Sequence, residues 1–271
     1  MCRWIAYTGP DIPMSIALID AKHSLLVQSE RSKLGAEPMN GDGFGVGWYS
    51  RHMATPGVYR DVRPAWNDEN FRDVTAHIRS RMFLAHIRAT TGTAVQRSNC
   101  HPFRHGRWLF QHNGLIPGFH LLRRELMFEV HTDYFDSIQG TTDSEVIFHL
   151  ALTYGLESDA PRALARTVAT VEEHMRHHGI SDEFQFSAAA ADGESIYAVR
   201  YADHGTPRTL FYATELDVLM ELDPELKAIP EGSIVVVSEP LGETVHWEEV
   251  PPGTIIRAGP GSVHIEPFGP V

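Results

Sequence analysis

Met1-Cys2-Arg3-Trp4-Ile5-Ala6-Tyr7-Thr8 opens the chain and decides how the rest is read. Methionine aminopeptidases accept a small second residue, so the expected mature chain begins at Cys2. That residue would carry both a thiol and a free α-amine, and an N-terminal amine is one of the bases that activate such nucleophiles. Ordinary values of about 7.7–8.0 for the amine and about 8.5 for the thiol make proton transfer between them nearly balanced. Only about a tenth of an unperturbed amine is neutral at pH 7, so a working site should depress it by partial burial or neighbouring positive charge. Taken singly, Cys2 reads better as a chance residue. The weight has to come from the rest of the chain.

Composition narrows the field. With 271 residues the chain can bury a real core as one large domain or two modest ones. Hydrophobic residues at 42% and charged residues at 21% are ordinary for a soluble globular protein. No apolar run approaches the about 18–20 residues of a membrane-spanning helix, and MCRWIAYTGPDIP lacks the layout of a secretory signal. Cys2 and Cys100 alone build no disulfide framework, and a cytoplasmic protein is expected. A formal charge of −12 without a basic run argues against nucleic acid, because phosphate neutralisation supplies most of that affinity. Anionic membrane surfaces are disfavoured on the same ground, which leaves small polar substrates.

Residues 2–8 read as a strand, Pro13 to Asp20 as a short helix, and LLVQ at 25–28 as an apolar segment. NGDGFGVGWYS at 40–50 alternates Phe44, Val46 and Trp48 and predicts a glycine-rich strand. Phe71, Val74 and Ile78 share a helical face ahead of a strand at 82–88, and a further strand at 107–112 ends in an Asn113-Gly114 turn. Thr142-Asp143-Ser144-Glu145 is a capping box, followed by Val146, Ile147, Leu150 and Tyr154 at helical spacing. A second helix runs from Pro161 to His178 with Leu164, Val168, Val171 and Met175 on its buried stripe. Strands follow at 184–191, 194–201, 208–214, 233–238, 243–249 and 254–257, with a hairpin at Asp192-Gly193. One domain over 2–258 and a surface-wrapping tail over 259–271 are expected, in a layered α+β architecture.

Several motifs read better as structure than as chemistry. Gly41, Gly43, Gly45 and Gly47 lack the helix that a dinucleotide loop must open, so they predict close backbone packing. His174 and His178 are four apart and could share a metal, but cations at a helix C-terminus are favourable without one. Cys100-His101 is a second thiol–imidazole pair, although sequence neighbours rarely face one substrate.

Four segments combine differently. His86-Ile87-Arg88-Ala89-Thr90-Thr91 closes a strand with an Arg whose fork suits a carboxylate, though Arg88 alone could be a surface ion pair. Gln111-His112-Asn113-Gly114 offers an amide donor and an unencumbered backbone N–H for a developing oxyanion. Asp143, in the first turn of a capped helix, could accept an ammonium or simply complement the helix dipole. Together with the Cys2 thiol, these groups describe an α-amino acid with a cleavable side-chain acyl group.

Cys2, HIRATT, HNG and TTDSEVIFHL, in that order, resemble the class II glutamine amidotransferases, which are N-terminal-nucleophile hydrolases. The resemblance covers at least residues 2–155, and MCRW, LLVQS and MNGDGFGVGWY look more like the compact stand-alone branch that includes the γ-glutamyl hydrolase of ergothioneine biosynthesis. It implies a four-layer αββα sandwich. It makes Cys2 the nucleophile with its α-amine as base, Asn113 and Gly114 the oxyanion hole, Arg88 with Thr91 the α-carboxylate site and Asp143 the α-ammonium site. Thr90, Thr91, Gly92 and Thr93 depart from the family's usual pattern after the Arg, and Arg3 stands where synthase-linked members commonly have Gly. The implied reaction is hydrolysis of the γ-amide of glutamine or a γ-glutamyl compound through a thioester, with no metal or other cofactor. Two further readings remain open, an ammonia-supplying subunit of a separate synthetase and a non-catalytic γ-glutamyl-binding protein.

Overall fold

Alternation along the strands sorts side chains into three apolar layers, and the sorting defines the architecture. The structure is a computed structural model that describes residues 2–34, 39–90, 92–214, 230–242 and 247–271. The chain runs through β1 (Arg3–Pro13), a helical turn (Ile16–Asp20), α1 (Leu25–Glu30), β2 (Phe44–Trp48), β3 (Gly57–Asp61), α2 (Glu69–His77), β4 (Arg79–Ile87), β5 (Phe103–His105) and β6 (Trp108–Leu115). It continues through α3 (Phe119–Glu129), α4 (Thr132–Phe135), α5 (Asp143–Thr153), α6 (Ala160–His177), β7 (Gln185–Ala191), β8 (Ile196–Ala202), β9 (Phe211–Ala213), β10 (Ile234–Val237), β11 (Glu248–Glu249), β12 (Thr254–Gly259) and β13 (Ser262–Pro267).

The strands form two antiparallel sheets, ordered β11-β9-β10-β1-β4-β2-β3 and β13-β12-β8-β7-β6-β5. In β1, Ile5 and Tyr7 pack with Leu18, Leu25 and Phe71 from the first helices, whereas Trp4 and Ala6 join Leu84, Leu109, Ala189 and Ile256 between the sheets. In β7, Ala188 and Ala190 face Phe148, Leu164 and Val168 of α5 and α6, while Ala189 and Ala191 face the other sheet. Period-two alternation therefore gives each sheet one face for helices and one for its partner. The result is the four-layer αββα sandwich. No helix among the described residues is long and apolar enough to cross a membrane.

Local chemistry accounts for the helices. The Asp159 carboxylate caps α6 by accepting from Arg162 N, and Leu164, Val168, Val171 and Met175 are all buried. LLVQ lies in α1, where Ser24 caps Val27 N. The capping box at α5 is only half formed. Thr142 Oγ1 accepts from Glu145 N, but the Glu145 carboxylate takes Gln139 N and Gly140 N instead of reaching back to the cap. That carboxylate ties the preceding loop to the helix.

Two expectations change. Asn113-Gly114 is not a turn, since β6 continues through it with Asn113 opposite Ser187 and Gly114 opposite Phe186. The glycine is there for space: a Cβ on Gly114 would lie 1.9 Å from Gln185 O and 2.2 Å from His112 Nε2. The segment after Gly259 does not wrap the surface. It turns through Pro260-Gly261 and returns as β13, because Val263 and Ile265 alternate along an edge that pairs with β12. Of the strand expected at 243–249, residues 243–246 lie outside the described residues, and 248–249 form β11. The close-packing reading of the other glycines holds, most sharply at Gly45, where a Cβ would sit 2.2 Å from His101 O.

Candidate active site

Strand register builds the site. Arg3 pairs with Ile87, so the residue before β1 meets the residues after β4, and Cys2 falls against Arg88 and Ala89. Cys2 Sγ lies 3.5 Å from Ala89 N and 3.6 Å from Ala89 O. Burial pushes the thiol above its ordinary value, against smaller opposing influences that include the Ala89 backbone and the Arg88 and Arg208 charges. The resting sulfur is thus a thiol that needs a base at the moment of attack.

Cys2, Arg88, His112, Gly114, Thr142 and Asp143 line one cavity of about 270 Å³. That volume suits a small metabolite, just below the about 300–1,000 Å³ of drug-sized sites. Arg88 is buried, and no carboxylate lies within salt-bridge distance of it among the described residues. Its guanidinium donates to Thr90 Oγ1 at 3.3 Å, to Thr93 Oγ1 and to Asp42 O at 3.4 Å, all uncharged acceptors. The threonine-rich departure from the family's pattern therefore positions this cation. Thr91 lies outside the described residues.

Asn113 crosses between the sheets, and its Nδ2 donates to Cys2 O at 2.9 Å. An amide nitrogen carries two hydrogens, so one remains beyond that bond. Asp143 accepts from Ile116 N at 2.9 Å and from its neighbour Ser144 N at 2.7 Å, which fixes its carboxylate at the cavity wall. His112 Nε2 lies 3.2 Å from Gln185 O, which can only accept, so Nε2 carries the hydrogen and Nδ1 accepts from Ser144 Oγ at 2.9 Å. Burial pulls His112 below its usual range, and it stands as a neutral prop between β6 and α5. His101 also lines the cavity, its ring centroid 4.2 Å from that of His86 with the planes tilted by 32°, and burial keeps both rings neutral, His86 down to about 3.

Sequence reasoning missed the clamp on Arg3. Glu239, 2% exposed, receives Arg3 Nε at 2.8 Å, contacts His23 Nε2 at 2.6 Å and accepts from Lys33 N at 2.8 Å. Burial alone would raise its pKa. The His23 bond leads the opposing influences, with the Lys33 amide, the Arg3 charge and the Ser32 hydroxyl, and Glu239 falls to about 2. Arg3 Nη1 in turn holds Cys2 O at 2.8 Å, so the clamp fixes the residue beside the thiol. No local signal links positions 3 and 239, which meet only through the β1–β10 pairing.

The depressed value sets a sign. The stabilisation from Glu239 is full above its ordinary value of 4.5 and is lost as pH falls toward 2. Glu239→Gln is expected to cost about 3 kcal/mol at neutral pH, because it leaves a buried cation short of a partner. Melting curves between pH 2 and 6 check this: the variant should start lower and vary less with acid, and parallel curves for the two proteins would remove the clamp.

The other thiol and the histidine run stand apart. Cys100 is buried with its Sγ 3.4 Å from Asp61 O and does not line the cavity. His174 Nδ1 and His178 Nε2 contact Glu125 Oε2 of α3 at 3.2 and 2.9 Å, so the run joins two helices.

Residues 17–267 match the family model described as class II glutamine amidotransferases. The chain is 28% identical to the probable glutamine amidotransferase DUG3 of Saccharomyces cerevisiae, over 99% of this chain and 84% of that protein. It is 28% identical to a γ-glutamyl-hercynylcysteine sulfoxide hydrolase of Mycolicibacterium smegmatis, over 99% of this chain and 100% of that protein. The solved structure of a glutamine aminotransferase class-II domain protein from Silicibacter pomeroyi superposes with a TM-score of 0.74 at 32% identity, covering 99% of this chain and 100% of that one.

Proposed function

The chain belongs to the class II glutamine amidotransferases, and we propose from that premise that it hydrolyses a γ-glutamyl amide through a thioester on Cys2. One observation carries the reading: a thiol, a buried guanidinium with no carboxylate partner among the described residues and a backbone-anchored carboxylate share one small cavity. That set matches the sulfur acceptor, α-carboxylate and α-ammonium of a glutamyl group.

In the proposed cycle, removal of Met1 frees the Cys2 amine. Sγ attacks the δ-carbonyl as that amine takes the thiol proton, directly or through a water. The spare Asn113 N–H and the Gly114 N–H hold the oxyanion, a contribution worth about 2.7–4 kcal/mol per donor in a comparable site. The tetrahedral intermediate collapses, the amine protonates the departing nitrogen, and water then cleaves the thioester to release glutamate. Arg88 and, as the family resemblance implies, Thr91 take the α-carboxylate, and Asp143 takes the α-ammonium.

The hydrolase relative, matched along its whole length, supports a γ-glutamyl compound as substrate; the proposed turnover takes place in the cytoplasm and needs no partner chain. The relative named as an amidotransferase supports a second reading, an ammonia supplier to a separate synthetase. Purified protein with a native terminus is expected to release glutamate unaided from γ-glutamyl peptides and, at some rate, from glutamine. A glutamine-mimicking diazoketone should add its mass to the Cys2 peptide. Turnover that appears only with a second protein would favour the supplier role. Labelling at Cys100, or none, would overturn both.

A further inference from the structure

A second cavity, of about 490 Å³, shares no lining residue with the first. Tyr59 and Arg60 of β3, Arg97, Arg104 of β5, and Glu145 and His149 of α5 shape it. One helical turn borders both spaces, with Asp143 at the first cavity and Glu145 at the second.

Three guanidiniums meet here with no carboxylate at salt-bridge distance among the described residues. Arg60 Nη1 donates to Cys100 O at 3.2 Å and Arg104 Nη1 to Pro56 O at 3.0 Å, both neutral carbonyls. Elsewhere in this acidic chain, Arg3, Arg63, Arg107 and Arg200 each pair with a carboxylate. Burial lowers the Arg60 pKa; Cys100 and the Glu145 carboxylate oppose that, and the smaller influences of the Arg104 and Arg97 charges add to it. The acids do not compensate. Glu145 already accepts Gln139 N and Gly140 N, and with Asp136 it offers two charges against the three arginines, leaving one positive in excess. His149 Nδ1 donates to Glu145 O at 2.8 Å, and burial keeps the ring neutral, so Nε2 is left as an acceptor.

We propose that this cavity binds a small dianion, a phosphate monoester or a dicarboxylate, gripped by the Arg60, Arg97 and Arg104 forks. Guanidinium geometry matches both oxyanions bidentately, and three forks can engage more oxygens than a single carboxylate offers. The volume leaves room for the rest of a metabolite beyond the anionic group. The site is separate from the glutamyl pocket and does not depend on the reaction assigned there.

Calorimetric titration with inorganic phosphate and with succinate, at constant ionic strength set by chloride, tests this. One saturable site is expected. Arg97→Gln and Arg104→Gln should each weaken it about tenfold, the scale of one lost charge-assisted bond. Both side chains are exposed, so an unchanged melting temperature without ligand will show intact folding. Arg88→Lys, which alters the other cavity, should leave the titration unchanged. Tighter phosphate identifies a phosphate monoester, and tighter succinate a dicarboxylate. No saturable binding of either probe, binding indifferent to Arg97 and Arg104, or binding lost with Arg88→Lys would each overturn the proposal.

Discussion

Protein carrying an uncleavable N-terminal extension is expected to be inert, with kcat/KM at least about 10⁴-fold below the native-terminus chain, the scale of losing a nucleophile's activation. Among the described residues the Cys2 sulfur is hydrogen-bonded only by the Ala89 amide and carbonyl, with no imidazole or carboxylate. Because burial already holds the thiol above its ordinary value, little thiolate exists at neutral pH without help. An extension turns the α-amine into an amide and removes the proposed base. Cys2→Ala should match the extended protein, since each breaks the same step. In the native chain kcat/KM should rise with pH as the amine loses its proton, and fall toward acid. Mass spectrometry of the active fraction decides the premise: full activity on molecules that retain Met1 would end this mechanism.

The fold was largely legible because its sheets obey period two and its helices carry strong stripes. Trp4 and Ala6 against Ile5 and Tyr7 in β1 already encode a strand covered on both faces, which is what a four-layer sandwich requires. Asn113-Gly114 misled because its residues are also the commonest turn signal. Only the contact with Gln185, 71 positions away, reveals that the glycine makes room inside a strand. The lining of the candidate cavity was legible where it comes from short segments, as at Arg88 and Asp143. It was opaque where function rests on pairing between distant strands. Glu239 carries no motif, and its grip on Arg3 depends on β1 and β10 lying side by side. The second cavity was invisible for the same reason, since Arg60, Arg97 and Arg104 come from three separate segments.

Replacing Arg88 separates what the fold needs from what the proposed reaction needs. Arg88→Met is expected to melt at or above the parent temperature while kcat/KM falls about 10³-fold. A buried cation without a counter-ion carries a desolvation penalty of several kcal/mol, and an apolar side chain of similar volume is often neutral or stabilising by about 1–4 kcal/mol. The acceptors it abandons are not stranded. Thr90 Oγ1 still donates to Thr93 O at 2.7 Å and accepts from Thr93 N at 3.2 Å, Thr93 Oγ1 keeps Thr90 Oγ1 as a partner at 3.3 Å, and the contact to Asp42 O is long at 3.4 Å. The substrate, by contrast, would lose two charge-assisted bonds of about 1.5–3 kcal/mol each, of which the expected decrease reflects the middle of the range. Those bonds reach the α-carboxylate, remote from the bond that breaks, so the loss should fall mainly on KM and less on kcat. Glutamate should raise the melting temperature of the parent and leave that of the variant unmoved. A variant that keeps parental KM, or that glutamate still stabilises, would show that the carboxylate is held elsewhere, and Arg88 would then be a structural cation whose removal ought instead to lower the melting temperature.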